Sequence, residues 1–211
     1  MLTLLLAAVM ATTPTAVDAE RAFSREAEGN GQPKAFQKYA ATDAVVFTPR
    51  ATWARDFLKD NERGAEIRWS PSASYVSCDG EMAVNTGSWH DLRSAGGGFF
   101  TTVWERKAGQ WHWISHGRHS LRVSRAPRAA PPTVHQASCR GRAPGPPLIA
   151  PPSTKKRPGG VTPDDFGRGY SSDRTLGWDW RVGPNGVRHF RAFLWTGRTY
   201  SLALQQTIGG R

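Results

Sequence analysis

From Glu66 to His119 the chain reads as four strand-length stretches cut by turn signals, and this series restricts the fold more than any other feature. Glu66–Cys78 is interrupted at Pro71, Asp79-Gly80 is a tight-turn pair, and Met82–Trp89 follows. Gly96-Gly97-Gly98 leads into Phe99–Arg106, and Ala108-Gly109 turns the chain into Trp111–His119. Such turn residues between apolar runs are hairpin signals, so the stretches predict an antiparallel meander. Ahead of it, Ala19, Ala22, Phe23 and Ala27 recur at helical spacing, with Glu20, Arg21, Arg25 and Glu28 on the other side, up to Gly29-Asn30-Gly31. Phe36, Tyr39 and Ala40 mark a short second helix after Pro33, and Ala44–Phe47 reads as a strand closed by Pro49. Trp53, Phe57 and Leu58 mark a third helix with Thr52 as N-cap. The order predicts an α+β domain over residues 20–121: a curved antiparallel sheet wrapped on N-terminal helices into a cone.

Behind this domain the texture changes. Residues 122–174 are rich in Pro, Arg, Gly and Ser, and hold Lys155-Lys156-Arg157. This composition predicts a basic linker with little fixed structure. Order returns near Thr175. Trp178 and Trp180 alternate with polar residues, then Phe190, Ala192 and Leu194, then Tyr200, Leu202 and Leu204. Residues 175–211 thus read as a three-stranded meander, too small to stand alone, which should dock on the front domain or on a partner. Of the net charge of +11, residues 20–121 contribute +1 and residues 122–211 contribute +11, with Asp18 balancing the total. The basic half permits an anionic envelope partner, or it reflects only a genome rich in Arg codons.

Leu2–Met10 is apolar and is followed by Val17-Asp18-Ala19, small residues of the kind a signal peptidase reads. No Lys or Arg precedes the run, so the start of a buried helix is the alternative. Export predicts cleavage after Ala19, placing the protein in the periplasm or outside the cell and making intracellular nucleic acid an unfit partner. No apolar stretch reaches the length of about 20 residues that a membrane span needs. Two cysteines in an exported chain permit a disulfide, Cys78–Cys139. The bland alternative is a pair of free thiols. Neither a Cys-x-x-Cys pair nor His-Glu-x-x-His is present, so no metal and no cofactor is expected.

The segments Ala19-Glu20-Arg21-Ala22-Phe23, Ala35–Ala40 and Asp43–Phe47, with Phe99–Arg106 and Trp111–Ile114 as a closing hairpin, resemble the nuclear-transport-factor-2-like superfamily, which includes the SnoaL-like proteins. The resemblance covers about half of the chain and implies a hydrophobic cone with a pocket. It also implies dimerisation through the sheet, and it leaves the reaction open, since this fold hosts many. Ketosteroid isomerase, one member, carries an Asp base before a Pro at the end of the first strand; here that place reads Thr48-Pro49. Its oxyanion-hole Tyr corresponds to Phe23. Thr is no base near neutral pH and Phe donates no hydrogen bond, so that mechanism is not expected.

What remains is a cone that binds a small apolar molecule. Phe100, Thr102 and Trp104 share one face of their strand and form the expected wall with Trp69 and Trp89, Thr102 orienting the ligand; the alternative is that they are core. His116 is the candidate base, at the pocket mouth or merely on the surface, and Asp43 could orient it or serve only as a turn residue. An enzyme built on His116, or an interaction protein held at an anionic surface by the basic half, are the alternatives to simple binding.

Overall fold

The computed structural model describes residues 13–60, 66–121, 130–150 and 165–209. Helices α1 (Ala16–Asn30) and α2 (Gln32–Tyr39) lead into β1 (Ala40–Phe47), β2 (Ala51–Trp53) and α3 (Ala54–Asp60). Strands β3 (Ile67–Val76), β4 (Met82–Asp91), β5 (Gly97–Lys107) and β6 (Gln110–Leu121) form the expected meander. With β7 (Thr133–Gln136) they make a seven-stranded sheet in the order β2-β1-β6-β5-β4-β3-β7. The sheet is mixed rather than antiparallel throughout, because β1 runs parallel to β6 and β7 parallel to β3. Pro71 does not end β3; a register shift between Pro71 and Ala73 absorbs it. Trp53 closes a strand and the third helix starts after it, at Ala54.

The concave face buries the helices. Phe23, Phe36, Trp69, Trp104 and Trp113 are each at most 4% exposed and form the centre of this core. Helix α1 starts earlier than its apolar spacing indicates. Thr15 and Asp18 form a capping box, with the Asp18 amide donating to Thr15 Oγ1 at 3.2 Å and the Thr15 amide to Asp18 Oδ2 at 2.9 Å. Trp111 Nε1 donates to the Pro14 carbonyl and Asn85 Nδ2 to the Ala16 carbonyl, both at 2.9 Å. Cleavage after Ala19 would remove the cap and the first turn with these contacts. The run Leu2–Met10 lies outside the described residues, as does Lys155-Lys156-Arg157.

The convex face is covered by the chain's own C-terminal half. Strands β8 (Phe166–Tyr170), β9 (Leu176–Val182), β10 (Arg188–Trp195) and β11 (Tyr200–Ile208) make a second, antiparallel sheet. It has four strands, not three, because β8 comes from the segment read as linker. Glycines make that strand fit: a Cβ at Gly167 would stand 2.4 Å from the Trp180 ring. Leu176, Trp178, Trp180, Phe190 and Ala192 pack with Val45, Val84 and Val103 of the first sheet. The outer face on which the family resemblance implies a dimer is therefore occupied by this chain itself.

Part of the supposed linker is a tie between the sheets. After β7, the Ala137 amide donates to the Val76 carbonyl of β3 and the Ser138 amide to the Trp195 carbonyl of β10, both at 2.8 Å. Cys139 is joined to Cys78 as expected, with Cα atoms 5.2 Å apart. Beside it the Cys78 amide donates to Thr175 Oγ1 and the Asp79 amide to Asp173 Oδ2, both at 2.8 Å. The disulfide closes a sequence separation of 61 residues, for which chain entropy gives a stabilisation of roughly 4 kcal/mol.

Two outcomes follow. Replacing both cysteines by Ser should lower the unfolding free energy by about 4 kcal/mol or less, and reductant should act on the parent protein but not on that variant; matched denaturant titrations read this. In an exporting bacterial host the mature protein should begin at or before Pro14, and a mass placing Glu20 first would contradict it.

Candidate functional site

The element that builds the site is α1. Ala16, Ala19, Phe23 and Ala27 lie on its buried stripe, and Glu20, one turn beyond Ala16, lies on that stripe too, with no measurable exposure. Three strands supply its partners. Trp69 Nε1 of β3 donates to Oε1 at 2.8 Å, Trp104 Nε1 of β5 to Oε2 at 2.6 Å, Asn85 Nδ2 of β4 to Oε2 at 3.3 Å, and Thr102 Oγ1 lies 3.3 Å from Oε1. Burial pushes the Glu20 carboxyl up to about 7, with the four donors opposing the rise.

Thr102 connects this carboxyl to His116 of β6, its Oγ1 standing 3.0 Å from Nδ1. His116 is 4% exposed and surrounded by rings: Phe36 lies 5.3 Å, Phe23 5.8 Å and Trp113 5.9 Å from it, centroid to centroid. Burial, then the charges of Arg118 and Arg188, pull its pKa down to about 3, so the imidazole is neutral at physiological pH.

His116 lines a cavity of about 360 Å³. Phe36, Val46, Phe57, Ile67 and Trp89 form apolar wall; Asp91, Arg118 and Ser120 add polar groups. Thr48, whose Oγ1 stands 3.0 Å from Thr52 Oγ1, lines it as well. Arg118 lies over the Trp89 ring at 5.6 Å. Burial lowers the Arg118 pKa and the Asp91 carboxylate opposes the fall. Asp91 also holds the turn after β4, accepting from the Arg93 and Ser94 amides at 2.7 and 3.0 Å.

A second arginine stands behind the strand. Arg188 of β10 is 3% exposed, packs on the Phe47 ring at 3.8 Å, and has no hydrogen-bond partner at Nε or Nη1 among the described residues. Gly117 makes its room: a Cβ there would lie 2.1 Å from Nη1. Burial brings its pKa down to about 9, leaving it cationic at neutral pH.

Of the expected wall, only Trp89 lines the cavity. Trp69, Trp104 and Thr102 turn instead to Glu20, and Phe100 stacks on His116 with centroids 6.3 Å apart, one layer behind the wall. Their burial follows from strand alternation on a face that must also cover α1. His116 is in the interior, not on the surface, whereas Asp43 is exposed at the start of β1 and does not reach it. Glu20 was legible only from a helix begun at Ala16. No group of His, Cys, Asp and Glu among the described residues could hold a metal ion.

Helices on the concave face of a curved sheet that opens at a pocket settle the architecture. The front half of the chain has the helix-and-curved-sheet cone that its resemblance to the nuclear-transport-factor-2-like superfamily implies. Solved structures similar to it include a protein of that type, of unknown function, from Shewanella oneidensis MR-1, at 15% identity and TM-score 0.40 over 48% of this chain and 96% of that one. Another, from Novosphingobium aromaticivorans DSM 12444 and provisionally named a scytalone dehydratase, has 17% identity and TM-score 0.40 over 54% and 87%. A protein of unknown function with a cystatin-like fold from Nostoc punctiforme PCC 73102 has 13% identity and TM-score 0.38 over 51% and 94%. No family model and no curated protein sequence matches the chain.

The two buried groups act oppositely on stability. Glu20, raised from 4.5 to about 7, contributes about 3 kcal/mol that is fully present below pH 4.5 and is lost as pH rises through 7. His116, lowered from 6.5 to about 3, contributes about 5 kcal/mol that is present above pH 6.5 and is lost as pH falls toward 3. The two slopes cancel between 4.5 and 6.5. Denaturant titrations should show a flat profile there for the parent, stability rising with pH in Glu20→Gln, and stability falling with pH in His116→Gln.

Proposed function

We propose that the cone is a binding site for a small molecule with a flat apolar body and one polar end, and that it carries no ketosteroid-isomerase chemistry. The observation behind this reading is the cavity itself, lined by aromatic and aliphatic side chains together with Arg118, Asp91, Ser120 and His116. Covering about 200 Å² of ligand at roughly 25 cal/mol per Å² gives about 5 kcal/mol before association costs, so affinity is modest. Arg118 adds a preference for an oxygen anion, since a guanidinium beside an aromatic ring matches a carboxylate in shape and charge. Thr48 supports the absence of isomerase chemistry, because its hydroxyl cannot serve as the base. The disulfide fits a periplasmic or extracellular setting, and export is part of the proposal. No helix among the described residues is long and apolar enough to cross a membrane.

A fluorescence titration tests it. Trp89 should respond saturably to 1-naphthoate, more strongly than to 1-naphthol, and Arg118→Met should remove the difference. Ile67→Trp, which fills the cavity, should abolish both responses. Equal binding to the parent and to Ile67→Trp would overturn the assignment of the cavity.

A further inference from the structure

The line from Glu20 through Thr102 to His116 crosses three elements and ends at the cavity. A buried carboxylate, a hydroxyl and an imidazole lie in series, at 3.3 Å and 3.0 Å. The hydroxyl has a single proton to give. An ionised Glu20 can only accept, so Thr102 donates to it and takes a hydrogen bond from His116 Nδ1–H. That leaves the Nε2 lone pair free, and among the described residues Nε2 has no hydrogen-bond partner, while the ring lines the cavity.

We propose that Glu20, Thr102 and His116 form a proton relay in which His116 Nε2 takes a proton from a cavity-bound molecule and Glu20 is the final acceptor. It rests on the cavity being a binding site. In one concerted step the substrate's proton bonds to Nε2, the Nδ1 proton passes to Thr102 Oγ1, and the Thr102 proton passes to Glu20 Oε1. The carboxylate becomes an acid, the hydroxyl is regenerated, and the imidazole changes tautomer without ever becoming a cation. The electron pair of the broken bond stays on the substrate as an anion, with the Arg118 guanidinium on the same cavity wall to stabilise it.

The arrangement resolves a mismatch. A histidine this buried is a poor base by itself, because its cation is disfavoured by its apolar surround and by Arg118 and Arg188. Routing the proton onward puts it on a carboxyl whose own affinity for protons is poised near neutrality. The groups facing Glu20 from β3, β4 and β5 are Trp69, Asn85, Trp104 and Thr102, which do not titrate between pH 5 and 8. Around His116 the charges are Arg118 on its own strand and Arg188 of β10, with Asp91 of β4 acting on Arg118. His119, farther along β6, has its pKa lowered by burial and then by the charge of Arg188.

The experiment reads the tautomer by ¹⁵N NMR and the chemistry with 5-nitrobenzisoxazole. That flat probe loses its C3 proton to a base while its N–O bond breaks, giving a cyanophenolate. At pH 8.5 His116 should carry its proton on Nδ1; as pH falls through about 7 it should move to Nε2 without forming the imidazolium. Glu20→Gln should make the tautomer independent of pH, Thr102→Val should uncouple it, and Thr102→Ser should restore the switch. Probe elimination should rise with pH around the same midpoint and fall about 100-fold in Thr102→Val but not in Thr102→Ser. A tautomer that stays on Nε2 at pH 8.5, or that titrates unchanged in Glu20→Gln, overturns the relay. A probe that quenches Trp89 yet is not eliminated overturns its catalytic use and leaves the binding site standing. A probe that does not bind at all overturns the binding site and the proposal with it.

Discussion

Everything on the concave side depends on where one carboxyl is buried. Glu20 holds indole donors from β3 and β5, an amide from β4 and a hydroxyl from β5, so α1 is fixed to three strands by a single side chain. Removing a carboxylate from water is costly, and the cost is tolerated because four donors replace its hydration. The rings around it serve two purposes. Trp69 and Trp104 are core by volume and ligands by their N–H groups, which fixes their rotamers and so the layer on which His116 rests. The cavity inherits its shape from this arrangement: its wall is the next layer out, and it can be hollow because the layer behind is filled.

The cone's architecture could be read in advance because it is written in local patterns. The hairpin turns at Asp79-Gly80 and Ala108-Gly109 and the helical spacing of Phe23 and Ala27 carry their own structural meaning. The strand faces were legible too, which is why Phe100, Thr102 and Trp104 were grouped correctly with one another. The depth of that group was not legible. Alternation says that three residues share a face; it does not say whether that face meets a hollow or a helix. Glu20 escaped notice for a related reason. A charged residue beside Arg21 and Arg25 reads as solvent-facing until the helix is known to start at Ala16, and that start depends on the Thr15 cap and on contacts from Trp111 and Asn85 that are distant in sequence.

Composition misled about the second half. Proline, glycine and arginine at this density describe a chain that cannot build a core of its own, and this chain does not: its sheet borrows the convex face of the cone for its apolar residues. Gly167, which looks like linker, is what lets β8 pass beneath an indole. Arginines that read as a solvated arm are partly structural. Arg191 makes two hydrogen bonds to the buried Asp179, at 2.9 and 2.7 Å, and Arg188 is enclosed altogether.

Arg188 also carries a lesson for any attempt to transplant the cone. The cavity's walls belong to the front half of the chain, but the electric potential at its base does not: a cation from β10 stands behind Gly117, where the missing side chain leaves the field unobstructed. A miniature built from the front half alone would keep the shape of the hollow and lose part of what makes its histidine reluctant to hold charge. Shape and potential are here encoded by separate stretches of one gene, so they can drift independently, and a substitution in the distal sheet can retune the chemistry of a chamber it never touches.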